Sequence, residues 1–303
     1  MENIVETHQL NFWYKTDRKV LDEVCLAVPT GSIYGFLGAN GAGKSTTMRL
    51  LTGILPEQGD AIRIFGLPLR EQLPSVFHQM GSLVEQPALY THLSAEDNLR
   101  YVCQLRNIPH SHVEMALHQV DLLADRKRKV NQFSLGMKQR LAIGIALLSQ
   151  PSLLLLDEPV NGLDPTGIQE IRQLLVNLNK EQGVSIFVSS HLLAEVEKMC
   201  THVGIIHQGQ MKFQGSIKDL GMRSGEVRLT VTLDEASHWL EKIKPMYPEA
   251  SILNSTQLDV RLDHREQIPV FIQSLVSVGA QVQEVRQAGG LEEWFLSLTS
   301  SQA

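Results

Sequence analysis

The stretch Gly38-Ala39-Asn40-Gly41-Ala42-Gly43-Lys44-Ser45-Thr46 constrains this chain more than any other. It satisfies the pattern G-x-x-x-x-G-K-[ST], with Gly38 and Gly43 at the glycine positions, then Lys44 and Ser45. Glycines let the backbone curl until successive N–H groups point inward at phosphate oxygens, with no side chain in the way. Lys44 adds a point charge for the β- and γ-phosphates, and the Ser45 hydroxyl suits Mg²⁺. The flanks agree. Ile33 to Leu37 is a short apolar run, predicted as a buried strand entering the loop. Thr47 to Leu55 places Met48, Leu51, Ile54 and Leu55 at helical spacing, so a helix should leave it with its N-terminus toward the phosphates. The expectation is a site for a nucleoside triphosphate with Mg²⁺, in which Gly38, Asn40, Gly41, Gly43, Lys44, Ser45 and Thr46 take part.

A second strong signal is Leu153-Leu154-Leu155-Leu156-Asp157-Glu158, bounded by Pro151 and Pro159. Four consecutive leucines read as a central parallel strand buried on both faces. Carboxylates at its C-terminal end lie where ligands bind in open α/β sheets. Asp157 there suits the Mg²⁺ shell, and Glu158 can take a proton from an attacking water. After a turn at Asn161 to Pro165, a helix is predicted from about Thr166 to Lys180. Val184 to Ser190 is another buried strand, and His191 stands just past its end, where it points toward the γ-phosphate. The remaining histidines show no paired spacing and read as surface or core.

The chain opens in strand-like alternation: Ile4, Val5, then Leu10 to Tyr14, then Val20 and Leu21. Lys15 to Lys19 reads as a charged hairpin turn. An aromatic beside such a turn can stack on a purine. Tyr14 is the candidate and Trp13 the other, although sheet aromatics packing a core give the same pattern. Ala61 to Phe65 is a further strand. From Ser94 to Leu148 the pattern is helical, opened by the N-cap Ser94 with Glu96 and Asp97 in its first turn. Asp125 to Lys129 reads as a solvated basic turn. Phe133-Ser134-Leu135-Gly136-Met137 then opens another apolar helix, whose N-terminus is a second anion-friendly end.

Composition sets the outer limits. With 303 residues the chain has length for one large or two ordinary domains. A net charge of −6 gives no reason to expect nucleic acid as a partner. The cysteines, Cys25, Cys103 and Cys200, are odd in number and far apart, which points to a reducing compartment. Glu2 and Glu6 near the start argue against a signal peptide. The longest apolar run, Leu141 to Leu148, is too short to span a bilayer.

Taken in order and spacing, Gly38 to Thr46, Ser134 to Arg140, Leu153 to Glu158, Asn161 to Asp164 and His191 resemble an ABC-transporter ATP-binding subunit, from about residue 2 to 220. The resemblance implies an α/β phosphate-loop NTPase core, residues 1–222, with a helical subdomain at about 86–150. It implies ATP and Mg²⁺ as ligands, Tyr14 as nucleotide-stacking residue, Lys44, Glu158 and His191 as catalytic residues, and Ser45 and Asp157 as metal ligands. Asp164, Ser134 and Gly136 would contact the nucleotide across a composite site shared with a second ATP-binding subunit, a homodimer being expected. A separately encoded permease would complete the complex, placing this chain in the cytoplasm, peripheral on the inner face of the membrane.

Two departures narrow the resemblance. Ser134-Leu135-Gly136-Met137 replaces the usual Ser-Gly-Gly-Gln, and the slot usually held by a metal-approaching glutamine falls on Glu85, with Gln86 one position later. Both look like the bacitracin- and lantibiotic-resistance exporter branch, which implies export of peptide antibiotics or other amphipathic compounds. Glu85 is accordingly a metal-site candidate. A soluble ABC ATPase serving ribosomes or repair complexes is the alternative, although its relatives carry paired cassettes or inserted modules that this chain lacks. A phosphate-loop GTPase would need an Asn-Lys-x-Asp motif, and none is found. Residues 223–303 carry no catalytic motif. They read as β-α-β-β-α-β-α, a small accessory α+β domain, with strands at Glu226 to Leu233 and Gln281 to Val285 and a closing helix at Leu291 to Leu298.

Overall fold

The computed structural model describes residues 2–15, 18–57, 59–85, 88–217, 227–264, 266–288 and 291–299. Gln86, Pro87 and the expected boundary at 222/223 lie outside them, as do Thr16 and Asp17 of the expected hairpin turn. The chain divides into two compact units, Met1–Gly215 and Ser216–Ala303.

The first unit holds two sheets. β1 (Asn3–Lys15) and β2 (Arg18–Pro29) form a long antiparallel pair, and β1 also pairs with β4 (Ile62–Ile64), which pairs with β5 (Leu67–Pro68). The second sheet carries the site. It is built from β3 (Ile33–Leu37), β6 (Met80–Leu83), β7 (Leu153–Asp157), β8 (Ser185–Ser190), β9 (His202–His207) and β10 (Gln210–Ser216). Their order is β10-β9-β3-β8-β7-β6. The pairs β9/β3, β3/β8, β8/β7 and β7/β6 are all parallel. Every residue of β3 and β8 is buried, as are Leu153 to Leu156, which is why these strands read as unbroken apolar runs. The leucine strand is nevertheless second from the sheet edge, not central. Its outer neighbour β6 escaped notice because Gly81 and Ser82 interrupt its apolar residues. Gly81 is there because the sheet meets a helix closely: a Cβ on it would stand 2.3 Å from the Ala146 carbonyl oxygen.

The helices follow capping chemistry. α1 (Lys44–Leu51) begins at the glycine loop and stops four residues before the predicted end, since Thr52 to Leu55 turn away and Ile54 is exposed. α2 (Leu69–Gln72) is a single turn. α3 (Ala95–Arg106) is capped by Ser94, whose hydroxyl accepts the Asp97 N–H at 3.1 Å. α4 (His112–Gln119) and α5 (Leu135–Leu147) follow, the latter capped by Ser134 accepting from Met137 N–H at 3.2 Å. α6 (Pro165–Gln182) has Asp164 as its cap, accepting the Gly167 N–H at 2.9 Å, and ends on a left-handed Gly183. α7 (Leu193–Met199) leads from β8 to β9.

The second unit contains β11 (Val227–Thr232), α8 (Ala236–Ile243), β12 (Ser251–Asn254), β13 (Gln257–Leu262), α9 (Gln267–Ser277), β14 (Glu284–Ala288) and α10 (Leu291–Thr299). Its antiparallel sheet has the order β12-β13-β11-β14, a split β-α-β arrangement. Trp239 and Phe271 of the helices pack with Leu229, Val231 and Val260 of the strands in one apolar core. β14 starts three residues later than the alternation at Gln281 predicts.

Candidate functional site

Parallel register decides where the chemistry collects. Leu37 at the end of β3 stands opposite Ser190 at the end of β8, and Ser189 stands opposite Asp157 at the end of β7. The chain leaves these neighbouring strands at one sheet edge, so the glycine loop, Glu158 and His191 emerge side by side.

The loop is shaped to receive anions. Gly41 and Gly43 have φ of +80° and +113°, and a Cβ on Gly43 would lie 2.6 Å from Leu21 Cδ2. No hydrogen bond within the described residues consumes the backbone N–H groups of Gly41, Gly43, Lys44, Ser45 or Thr46. These are the orphan donors of a helix start, gathered where negative charge is favoured. Lys44 is 6% exposed, and its Nζ donates to the Gly38 carbonyl at 2.7 Å and the Ala39 carbonyl at 3.4 Å. That curls the lysine over the loop it belongs to.

Glu158 is bracketed by two nitrogens. Its Oε2 is 2.7 Å from His191 Nδ1, and its Oε1 is 3.4 Å from Lys44 Nζ. Its backbone is in the left-handed region, φ +49°, a conformation that costs a non-glycine residue about 1–2 kcal/mol. Ser189 holds this arrangement: its buried hydroxyl donates to the Asp157 carboxylate and accepts the Glu158 N–H at 2.9 Å. One hydroxyl thus fixes both acids. Sequence reasoning missed it, because Ser189 carries no motif and lies on the neighbouring strand.

The loop opens on a cleft of about 1020 Å³, ample for a nucleotide. Tyr14, Asn40, Gly41, Gly43, Lys44, Ser45, Thr46, Glu158 and His191 line it, while Gly38, Asp157 and Glu85 do not. Lys15, Arg18, Lys19 and Arg49 join Lys44 in the lining, with Glu158 as its one carboxylate among the described residues. Among the described residues the lining is rich in cations, although Lys19 is paired with Asp22 and Arg49 with Glu85, and that balance favours a polyphosphate. Of these, Lys15, Arg18 and Lys19 had read as no more than a charged turn. Asn161, Gln208 and Gly209 complete the wall.

Tyr14 presents a half-exposed ring, steadied edge-on by Phe12 at 5.0 Å between centroids, and its hydroxyl lies 3.3 Å from Thr46 Oγ1. Arg49 donates to the same hydroxyl at 3.2 Å and pairs with Glu85 at 2.7 Å. The Tyr14 hydrogen bond first, and the Glu85 carboxylate after it, push the Arg49 guanidinium above its ordinary value, so it stays charged.

Ser134, Gly136 and Asp164 do not line this cleft. They sit at the N-termini of α5 and α6, two adjacent helices, with Ser134 and Asp164 exposed. Gly136 faces Gly167 across that junction.

The donor set fits the expected ligands. Phosphates match the free N–H groups and Lys44, and the Ser45 hydroxyl with the Asp157 carboxylate offers the hard oxygens that Mg²⁺ takes. Among the described residues no group of three or more His, Cys, Asp and Glu is placed to hold a metal, and no helix is long and apolar enough to cross a membrane.

Comparison with known proteins bears on the family and the fold. The family model described as ABC transporter matches residues 21–161. The chain is 40% identical over 225 residues to the bacitracin transport ATP-binding protein BcrA of Enterococcus faecalis, covering 74% of this chain and 73% of the relative. It is 43% identical over 194 residues to the lantibiotic transport ATP-binding protein SrtF of Streptococcus pyogenes, covering 64% and 83%. A solved ATP-binding subunit of an ABC transporter superposes with a TM-score of 0.64 at 31% identity, covering 73% of this chain and 93% of that one.

Proposed function

The chain belongs to the ABC transporter family as an ATP-binding, ATP-hydrolysing subunit, and we propose that it powers an exporter of peptide antibiotics or other amphipathic compounds through a separate membrane permease. The observation that carries the catalytic half is the grouping of Lys44, Glu158 and His191 within hydrogen-bonding or ion-pair reach in one phosphate-shaped cleft. The bacitracin and lantibiotic relatives support the choice of cargo.

In this reading the N–H groups of Gly41, Gly43, Lys44, Ser45 and Thr46 and the Lys44 ammonium hold the β- and γ-phosphates, Lys44 exchanging its carbonyl acceptors for phosphate oxygens. Tyr14 stacks on the base. Glu158 accepts the proton of the attacking water, and His191 holds the Glu158 carboxylate and the γ-phosphate in one frame. Mg²⁺, when bound, would neutralise charge on the phosphate oxygens, with Ser45 and Asp157 to hold it, while the Glu85 carboxylate expected beside the metal is paired with Arg49 and stands outside the cleft lining. Ser134, Gly136 and Asp164 serve the nucleotide of a second copy of this chain, which accounts for their standing outside their own cleft. Glu85 senses the bound nucleotide and couples it to the permease. Residues 223–303 form an accessory domain, and the whole works at the inner face of the membrane.

Glu158→Gln tests the base. The amide cannot take the water's proton, so ATP binding should persist while turnover drops about 10²- to 10⁴-fold. Hydrolysis by the purified variant with its permease near the parent rate would sink the assignment.

A further inference from the structure

Arg49 lies in the last turn of α1, the helix whose first turn carries Lys44, Ser45 and Thr46. It belongs to no motif of the sequence. Its side chain lines the nucleotide cleft and is a third exposed. Two different guanidinium nitrogens are committed to two different segments. Nη1 donates to the Tyr14 hydroxyl at 3.2 Å, and Nη2 pairs with Glu85 Oε1 at 2.7 Å. The third nitrogen, Nε, is shielded from solvent and has no hydrogen-bond partner among the described residues. A buried orphan donor is costly and is kept only where the rest of the group is held firmly.

Both partners have reason to need holding. Tyr14 touches Thr46 through the same hydroxyl that Arg49 grips, so the ring, Arg49 and the phosphate loop form one connected set. Glu85 has φ of +73°, a left-handed backbone that a non-glycine residue keeps only when something fixes it. Among the described residues, the Arg49 ion pair is the side-chain contact that reaches Glu85. A glutamine at position 85 could hydrogen-bond to Arg49 but could not pair with its charge. The carboxylate at this position therefore has a partner of its own in Arg49, which lines the cleft while Glu85 does not.

We infer that Arg49 is a positioning residue that couples the cleft to the Glu85 segment. It sets the Tyr14 ring from one edge of its guanidinium and holds Glu85 from the other. A nucleotide seated against Tyr14 steadies the guanidinium and so tightens its hold on Glu85, since the coupling has the same sign in both directions. Conversely, release of Glu85 frees Arg49 and weakens the seat of Tyr14. This rests on the reading of the cleft as a nucleotide site and adds the link by which that site is felt at Glu85.

The test is a triple-mutant box on the purified subunit, read as the dissociation constant of a fluorescent ATP analogue without hydrolysis or permease. Tyr14→Phe keeps the ring and removes the hydroxyl. Glu85→Gln keeps the shape and removes the charge. Each should weaken binding about two- to five-fold, the scale of a part-exposed pair. Together they should weaken it by clearly less than the product of the two changes, because both act through one guanidinium. In an Arg49→Gln background that shortfall should vanish, and thermal unfolding of every variant confirms that it is folded. Independent effects in the parent background, or a shortfall that survives Arg49→Gln, would overturn the inference. Lys44→Ala separates the two readings. If it abolishes binding while the box shows independent effects, Arg49 alone is wrong; if it binds like the parent, the nucleotide site fails and the coupling with it.

Discussion

Gly136→Ala should raise the stability of this protein while lowering its activity, a combination that a merely structural glycine cannot give. Gly136 is in the first turn of α5, with no left-handed φ. A Cβ placed on it would find Gly167 Cα and Ser134 Oγ as its nearest neighbours, both at 3.9 Å, an ordinary contact distance. Nothing in its own chain needs the position bare. Alanine at such a site stabilises by about 0.4–1 kcal/mol, through a less flexible unfolded chain and better helix propensity. For a domain of this size that is a rise in Tm of roughly 1–4 °C. If the phosphate held by a second copy approaches this helix end, the added methyl displaces it by on the order of 1 Å, and such a misplacement costs about 10²-fold in rate. Thermal unfolding, nucleotide titration of the isolated subunit and ATPase assays in the full transporter read the three quantities separately. Nucleotide affinity of the isolated subunit should be unchanged, since Gly136 does not line its own cleft. A stable variant with parental ATPase would refute the approach of a phosphate, and a destabilised one would refute the local geometry.

Three other expectations follow from the same coordinates. Mixing Lys44→Ala with Ser134→Arg subunits should restore ATP-dependent dimerisation in part, because each pair retains one intact composite site; absence of complementation in mixed samples argues for self-contained sites. Gly81→Ala should cost about 1–3 kcal/mol or more, since the new Cβ meets a helix carbonyl at 2.3 Å, and denaturant titration measures it. Burial raises the Glu57 carboxyl above the ordinary range, against the opposing hydrogen bonds from Ile62 and Ala61. The folded form therefore keeps its proton longer than the unfolded one. Stability from this group is full below the unfolded pKa of about 4.5 and is lost as pH rises through the folded value. Glu57→Gln, which keeps an acceptor for the Ile62 N–H, should flatten that decline in unfolding curves taken across mildly acidic pH, and an unchanged slope would refute it.

What could be read from the sequence was whatever is local. The loop Gly38 to Thr46 and the run Leu153 to Glu158 are contiguous, and their chemistry is written in neighbouring letters. β6 was not legible, because a strand against a close-packed helix must carry small residues and so loses its apolar signature at Gly81. Ser189 and Arg49 were illegible for another reason. Their partners are about thirty residues or more away, Ser189 with Asp157 and Arg49 with Tyr14 and Glu85. Only the register of parallel strands and the seating of α1 bring them together. The premature end of α1 is a matter of packing, since Leu51 is buried while Ile54, next on the helical stripe, is exposed.

The endings of β3, β7 and β8, within one residue of each other, make the sheet edge a ruler with fixed graduations. Slipping β8 by one residue would carry His191 about 3.3 Å along the sheet and turn every side chain of that strand to its opposite face. No half-assembled site exists between those two registers. Insertions are tolerable in the connections beyond the ruled edge, where chain length is free, but not within the strands, where each residue is a tick mark. A variant of this protein that retains even a fraction of its turnover has therefore kept its sheet in register.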